Sequence, residues 1–290
     1  MPMRSTTKGM LWILASALGF ATMSAFVRLS GDIPFYQKAF FRNLVAVIAA
    51  LPAFLKAKKP QPSIPWGLLL LRSSLGIVGL LCNFYAIDRL ALSDASMLNN
   101  LSPFFTIVFS FLFLKEKVSL RQVLLVVLAF MGALLIIQPS MDFSQRLLAC
   151  LVGLLGGMGA GSAYAVVRAL GKRGVPAALI VLFFSVFSTL VLLPFQLIHR
   201  MEASWIQILW LLLAGLAATM GQIGVTRAYS YAPASRISIF SYANVAFSAV
   251  YGLVLFSQRP DGMSLLGYLV IMLSAILMFL YNRGHEDGRG

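Results

Sequence analysis

The chain is short of acid. Nine Asp and Glu residues face 23 Lys and Arg, and there are two histidines and two cysteines in 290 residues. A bound metal needs His, Cys or carboxylate ligands clustered at metal spacing, and no such cluster is present. His199 lies between apolar runs and His285 in the C-terminal tail. Cys82 and Cys150 fall inside apolar runs, where a thiol is a small packing residue and says nothing about redox compartment. Charged residues make up 11% of the chain, against about 25% in a soluble domain. Polar stretches are short as well, which leaves no segment for a soluble domain and no loop long enough to build an ample catalytic pocket. Ser, Lys and Tyr occur, but in no recognisable catalytic constellation.

What fills the chain instead is hydrocarbon: 60% of residues are hydrophobic. They form ten runs of about 20 residues, the length that crosses the roughly 30 Å bilayer core as a helix. The expected spans are Gly9–Leu29, Tyr36–Leu55, Gly67–Ile87, Ser93–Leu114, Leu120–Ile137, Leu147–Arg168, Ala177–Leu197, Ile206–Tyr229, Ser235–Phe256 and Ser264–Tyr281. The first run is too long for a signal peptide. Trp12 and Trp66 sit near expected interfaces, as belt anchors do. With the N-terminus in the cytoplasm, 15 of the 23 Lys and Arg fall on the cytoplasmic side, six outside, and Arg42 and Arg72 within the spans. The positive-inside rule produces that bias, so both termini are expected in the cytoplasm and the protein in the inner (plasma) membrane. The same distribution explains the net charge of +14 without nucleic acid, because no basic stripe interleaved with aromatics is present.

The chain carries a faint copy of itself. At an offset of 142 residues Pro34 meets Pro176, Pro52 meets Pro194, Gly79 meets Gly221, Ala86 meets Ala228, Ser96 meets Ser238 and Ala133 meets Ala275. At an offset of 140, Gly19 meets Gly159 and Arg28 meets Arg168. The expected domains are residues 1–142 and 143–290, five spans each. An odd number of spans turns the second copy upside down. Inverted repeats place a pseudo-two-fold axis in the membrane plane, with a site near the midplane where the halves meet. Alternating-access carriers need that symmetry; enzymes and scaffolds in general do not. Gly153, Gly157 and Gly161 form a small-residue stripe on the sixth span, matched by Ala17, Ala21 and Ala25 on the first. It reads either as close helix packing or as packing that also slides.

The stretch Phe84 to Val118, with Tyr85–Ala86, Ser93–Asp94–Ala95 opening the fourth span, Pro103 and Glu116 at its exit, resembles the end of a repeat in EamA-type carriers of the drug/metabolite transporter superfamily. The ten-span length and the internal copy agree with the resemblance along the whole chain. The second copy departs from the pattern, with Gln258 in place of Glu116 and Val245 in place of Pro103. The resemblance implies an all-α membrane protein, two inverted five-helix repeats around a central cavity lined mainly by spans 1, 3, 4, 6, 8 and 9, and transport of a small metabolite without a cofactor.

Candidate substrate contacts follow from helical faces. Ser96 and Asn100 share a stripe with Ser93 and Pro103 on the fourth span, and Ser238 and Tyr242 are their repeat partners on the ninth. Asn99 takes the lining position if the face is rotated. An amide in hydrocarbon must find a partner, either across to another helix or in a cavity. Asn83 shares a face of the third span with Arg72, Gly76 and Gly79; Gln222, Thr226 and Tyr229 mark the eighth span, and Tyr164 the sixth. Pro103 is expected to kink the fourth span as a hinge.

Arg42 and Arg72 are the sharpest features. An Arg at mid-helix costs about 2.5–3.5 kcal/mol on the insertion scale, and no acid lies deep enough to neutralise either. They either snorkel to the headgroups or bind an anionic group, for which the guanidinium fork suits carboxylate or phosphate. All nine acids fall in loops, at helix ends or in tails, so facilitated transport or exchange is expected rather than a dedicated acidic proton site. The expected function is secondary transport of a small anionic or zwitterionic metabolite. The competing readings are an exporter of amines, drugs or amphiphiles and, outside the carriers, a membrane enzyme. The expected partners are the substrate and the bilayer, with room left for a homodimer.

Overall fold

The computed structural model describes residues 2–55, 64–114, 118–138, 145–198, 202–231 and 238–287. The described residues contain helices and no strand, as a lipid setting demands: backbone N–H and C=O groups must be satisfied within each segment. In chain order the helices are α1 (Pro2–Leu29), α2 (Phe35–Leu55), α3 (Trp66–Arg89), α4 (Leu92–Asn99), α5 (Ser102–Leu114), α6 (Leu120–Ile137), α7 (Gln145–Lys172), α8 (Ala177–Ile198) and α9 (Trp205–Tyr231), then a 3₁₀ turn (Ser238–Tyr242), α10 (Ala243–Phe256) and α11 (Gly262–Asp287).

Seven of these, α1, α3, α6, α7, α8, α9 and α11, are long and apolar enough to cross a membrane. The other three expected spans depart from a plain apolar helix for local reasons. In α2 the first turns carry Gln37, Lys38, Arg42 and Asn43. The fourth expected span is broken: α4 ends at Asn99 and α5 restarts at Ser102. Pro103 therefore sits in the first turn of a helix, where its missing N–H would have no intrahelical partner, and does not kink a continuous helix. The ninth span starts as a 3₁₀ turn before α10, and its first residues, with Ser235, lie outside those described.

The two halves pack through each other. The most extensive contacts are α1 on α9 and α3 on α7, and exchanging the halves turns one pair into the other. The same exchange relates α4 and α5 on α7 to α10 on α1, and α2 on α9 to α8 on α3; α2 on α8, α4 on α10 and α6 on α11 join counterparts. Glycine makes these crossings close. A Cβ on Gly19 would stand 2.8 Å from Gly221 N, and one on Gly159 would stand 2.7 Å from Gly79 Cα. These are the glycines that the internal copy puts in register. The stripe on α7 is a packing surface: a Cβ on Gly157 would meet Leu98 O at 2.5 Å and one on Gly161 would meet Ser102 O at 2.6 Å, on either side of the α4–α5 break. Outward faces are apolar, as on α6, where Val123, Leu124, Val127, Met131 and Leu134 are exposed.

Hydroxyls tie the crossings. The Ser16 hydroxyl donates to Gly221 O at 2.7 Å, and that of Thr106 to Gly161 O at 3.0 Å. At one end of the bundle Lys38 Nζ meets Asp88 Oδ1 at 2.6 Å, so the start of α2 lies beside the end of α3. Lys38 is 1% exposed, the most buried charged residue among those described.

Candidate functional site

Two consecutive helices of opposite direction bring Arg42 and Arg72 together. Arg42 lies seven residues into α2 from the Lys38 end, and Arg72 six residues into α3 from the other. At 1.5 Å per residue each is about 10 Å from its own end of the bundle. Both reach the same ring, which places the centre at middle depth. The Arg72 guanidinium carbon sits 3.9 Å from the centroid of Phe184 on α8, and that of Arg42 sits 5.7 Å from it. Gly76, one turn after Arg72, makes the room: a Cβ there would stand 3.0 Å from the Phe184 ring and 3.2 Å from Arg72 Nη1. Tyr164 on α7, partly exposed, is close enough to interact electrostatically with both guanidiniums.

Neither arginine snorkels. Arg42 is 2% exposed and Arg72 5%. Arg42 Nη1 donates to Asn43 Oδ1 at 2.8 Å, and Asn43 in turn donates to Ala39 O. Arg42 Nε, Arg72 Nε and Arg72 Nη1 are buried without a hydrogen-bond partner, and neither guanidinium has an acidic partner among the described residues. The π face of Phe184 offsets part of the cost of burying charge, about 0.5–2 kcal/mol. It accepts no N–H in the guanidinium plane. The arrangement is a cationic pair with free donors in low dielectric, where a carboxylate or phosphate would be held most strongly.

Phe184 was not legible as a site residue, although the signal existed. The offset of 142 puts Phe184 opposite Arg42, so counterparts from the two halves meet, one supplying charge and the other a ring. The centre uses α2, α3, α7 and α8. The span set implied by the resemblance omitted α2 and α8.

The other expected contacts separate into two groups. At the α4–α5 break, the Asn100 side chain donates to Ser96 O at 2.8 Å and to Asn244 Oδ1 at 3.1 Å, and Asn244 donates to Ala17 O at 3.0 Å. This amide chain joins α4, α10 and α1. Asn244 was missed because the 142 register pairs Asn100 with Tyr242. Tyr242 itself is buried with its hydroxyl unpartnered. Ser96 donates to the Ser248 hydroxyl at 2.7 Å; the side chain of its repeat partner Ser238 lies outside the described residues. Asn99 is half-buried where α4 meets Gly157 of α7. Asn83 lies in the α3–α7 interface beside Gly156 and is buried there. Gln222 is half-buried on α9; the side chains of Thr226 and Tyr229 lie outside the described residues. None of these is joined to the arginine pair by a hydrogen bond among the described residues.

One acid at a helix end is buried. Asp94 lies in the first turn of α4, as expected, and is 5% exposed. It accepts a hydrogen bond from the Tyr268 hydroxyl of α11 and lies 4.0 Å from Arg146 Nη2 of α7. The physical reason is the short α3–α4 connection, which turns the first turn of α4 inward under α7 and α11.

The chain as a whole is similar to known transporters. The sequence profile of the EamA-like transporter family matches residues 7–138 and again residues 147–280. The chain is 30% identical to the pseudopaline exporter CntI of Pseudomonas aeruginosa over 278 residues, covering 95% of this chain and 97% of that one. It is 27% identical to the riboflavin transporter of Vibrio cholerae, with 92% and 91% covered, and 25% identical to human solute carrier family 35 member G1, with 92% and 78% covered. A solved crystal structure shares the fold with a TM-score of 0.68 at 15% identity, over 97% of this chain and 99% of that one. With both halves matched in turn by the family profile, the chain belongs to the EamA-like transporter family.

Proposed function

We propose that the chain is a secondary transporter of a small anionic or zwitterionic metabolite, and that the Arg42–Arg72 pair holds the acidic group of the cargo. The observation that carries this reading is three unpartnered N–H donors on two buried guanidiniums, with no acid beside them among the described residues. An uncompensated buried charge is strongly destabilising. An anionic cargo supplies the missing countercharge during part of the transport cycle.

In this reading the chain crosses the inner membrane ten times as two inverted five-helix repeats, residues 1–142 and 143–290, with both termini cytoplasmic. The broken α4–α5 span and the 3₁₀ start of α10 count as one crossing each. The exchange of packing partners between halves supports the inverted arrangement, and the charge bias supports the orientation, with the Lys38 end outside. The Asn100–Asn244–Ala17 chain joins the halves close to the axis and serves the rocking of one half against the other that alternating access requires.

The test is flux through purified protein in liposomes loaded with radiolabelled amino acids, dicarboxylates and phosphate esters, beside a panel of amines. Uptake of at least one acidic compound, lost in Arg72→Ala and in Arg42→Ala, is expected. Flux confined to the amines, or acidic flux that both variants keep in full, overturns the reading.

A further inference from the structure

Asp94 is a buried carboxylate that the arginine pair does not use. Asp94 stands at the Lys38 end of the bundle, on the wall of a cleft of about 370 Å³ lined by Arg89, Asp94, Arg146, Arg259 and Asp261 together with neutral groups. The carboxylate is a junction between halves. Its own helix α4 belongs to the first half; Tyr268 on α11 and Arg146 on α7 belong to the second. Arg146 also reaches Asp261 Oδ2 at 3.4 Å and Ile136 O on α6 at 3.4 Å. The polar network at this end thus converges on one buried acid that cleft water can reach.

We propose that Asp94 is a proton-binding site, and that its occupancy by a proton opens this end of the carrier. The carboxylate takes a proton from water in the cleft and becomes a neutral carboxyl group; one O–H bond forms and nothing else changes covalently. The attraction to Arg146 vanishes. The Tyr268 hydroxyl then faces a protonated oxygen instead of an anion, so its charge-assisted bond is lost as well. Two links between the halves weaken together, while links within each half are untouched. By linkage, the conformation open at this end binds the proton more tightly than the closed one.

The groups that face Asp94 are few. Arg89 comes from the end of α3, Arg146 and Cys150 from α7, Arg259 and Asp261 from the segment before α11, and Tyr268 from α11. From α1, Arg28 reaches the chain nearby by donating to Leu90 O. α10 carries no Asp, Glu, Lys, Arg or His, and its Tyr251 bonds Thr22 on α1. Of these only Asp261 is a second carboxylate. It is half exposed, caps α11 by accepting from Ser264 N at 2.7 Å and also accepts from Gln138 Nε2 of the first half at 3.0 Å, so the loss of the pH response in Asp94→Asn, with Asp261 intact, is what separates the two carboxylates.

The experiment needs no substrate, so its outcome is independent of the arginine reading. Spin labels are placed one on each half, at Pro34→Cys before α2 and at Met263→Cys on α11, both at exposed positions, in a Cys82→Ser/Cys150→Ser background reconstituted in lipid. Distances are measured from about pH 8 to about pH 4, which covers a carboxylate from near its ordinary value of 3.9 upward. The expected result is a shift to longer distances on acidification, retained in Asp94→Glu. In Asp94→Asn the long distance is expected at both extremes. A distribution that does not change with pH, or a full pH response surviving in Asp94→Asn, overturns the proposal. Difference infrared spectra of the unlabelled native protein on acidification give a check that survives a poorly folded variant. A protonated-carboxyl band that shifts in Asp94→Glu is expected, and a band unmoved by that substitution overturns the assignment.

Discussion

Arg72→Met separates a binding arginine from a structural one, because the two roles predict opposite changes in stability. Met keeps the length and apolar stem of the side chain and removes the charge. Holding an arginine at mid-depth costs about 2.5–3.5 kcal/mol on the insertion scale. The stacking of Arg72 on Phe184 returns about 0.5–2 kcal/mol, and with two of its donors unpartnered little else offsets the cost. The substitution should therefore stabilise the ligand-free protein by about 0.5–3 kcal/mol while removing a charge-assisted contact worth about 1.5–3 kcal/mol to an anionic ligand. The ligand term corresponds to about a 10-fold to 150-fold loss of affinity. Thermal unfolding in detergent, with and without a library of carboxylates and phosphate esters, reads both effects, since a ligand that binds only the native state raises the apparent stability. The native protein should be stabilised by at least one acidic compound. Arg72→Met should unfold at higher temperature without ligand and fail to respond to that compound. A variant that melts lower and still responds would refute the reasoning, for it would make Arg72 a structural partner with a neighbour that pairs it.

Three further outcomes are expected. Gly159→Ala puts a Cβ against Gly79 Cα, backbone that cannot give way, so a loss of about 1–3 kcal/mol should appear in thermal unfolding, with a similar loss at the symmetry-related Gly19. Lys38→Met leaves Asp88, which is 20% exposed on its side chain, without its partner; the cost should be about 1–3 kcal/mol, below that of a fully buried pair, and Lys38→Met/Asp88→Leu should recover most of it in the same assay. Asp261 is held below the usual carboxylate range, chiefly by the Ser264 N–H that it caps. A carboxylate with a depressed folded-state pKa contributes stability above its unfolded value, about 3.9, and loses it as pH falls through the folded value. The unfolding temperature of Asp261→Asn should accordingly fall less than that of the native protein on going from about pH 5 to about pH 3.

Much of this protein is one-dimensional information. Because the bilayer leaves the backbone almost no alternative to helix, runs of about 20 apolar residues located the helices nearly to the residue, as at Leu120–Ile137 and Ala177–Ile198. The repeat offset, too, could be read from glycines and prolines alone. Gly19, Gly79, Gly159 and Gly221 are small because helix backbones touch there, so identity and register were two faces of one constraint. Arg42 and Arg72 were conspicuous by the cost of a charge in hydrocarbon. What periodicity could not supply was depth and partnership. Whether an arginine snorkels depends on which neighbour leaves room, and that neighbour is Gly76, with Phe184 from the other half as the floor. The break before Pro103, the Asn100–Asn244 contact displaced by two residues from the repeat register, and the burial of Asp94 under Tyr268 likewise arise where segments far apart in sequence press on one another. Composition and spacing determined that this chain lives in a membrane as a doubled helical unit. Tertiary packing decided which of its few charges are denied water, because desolvation is imposed by surroundings that no single segment contains.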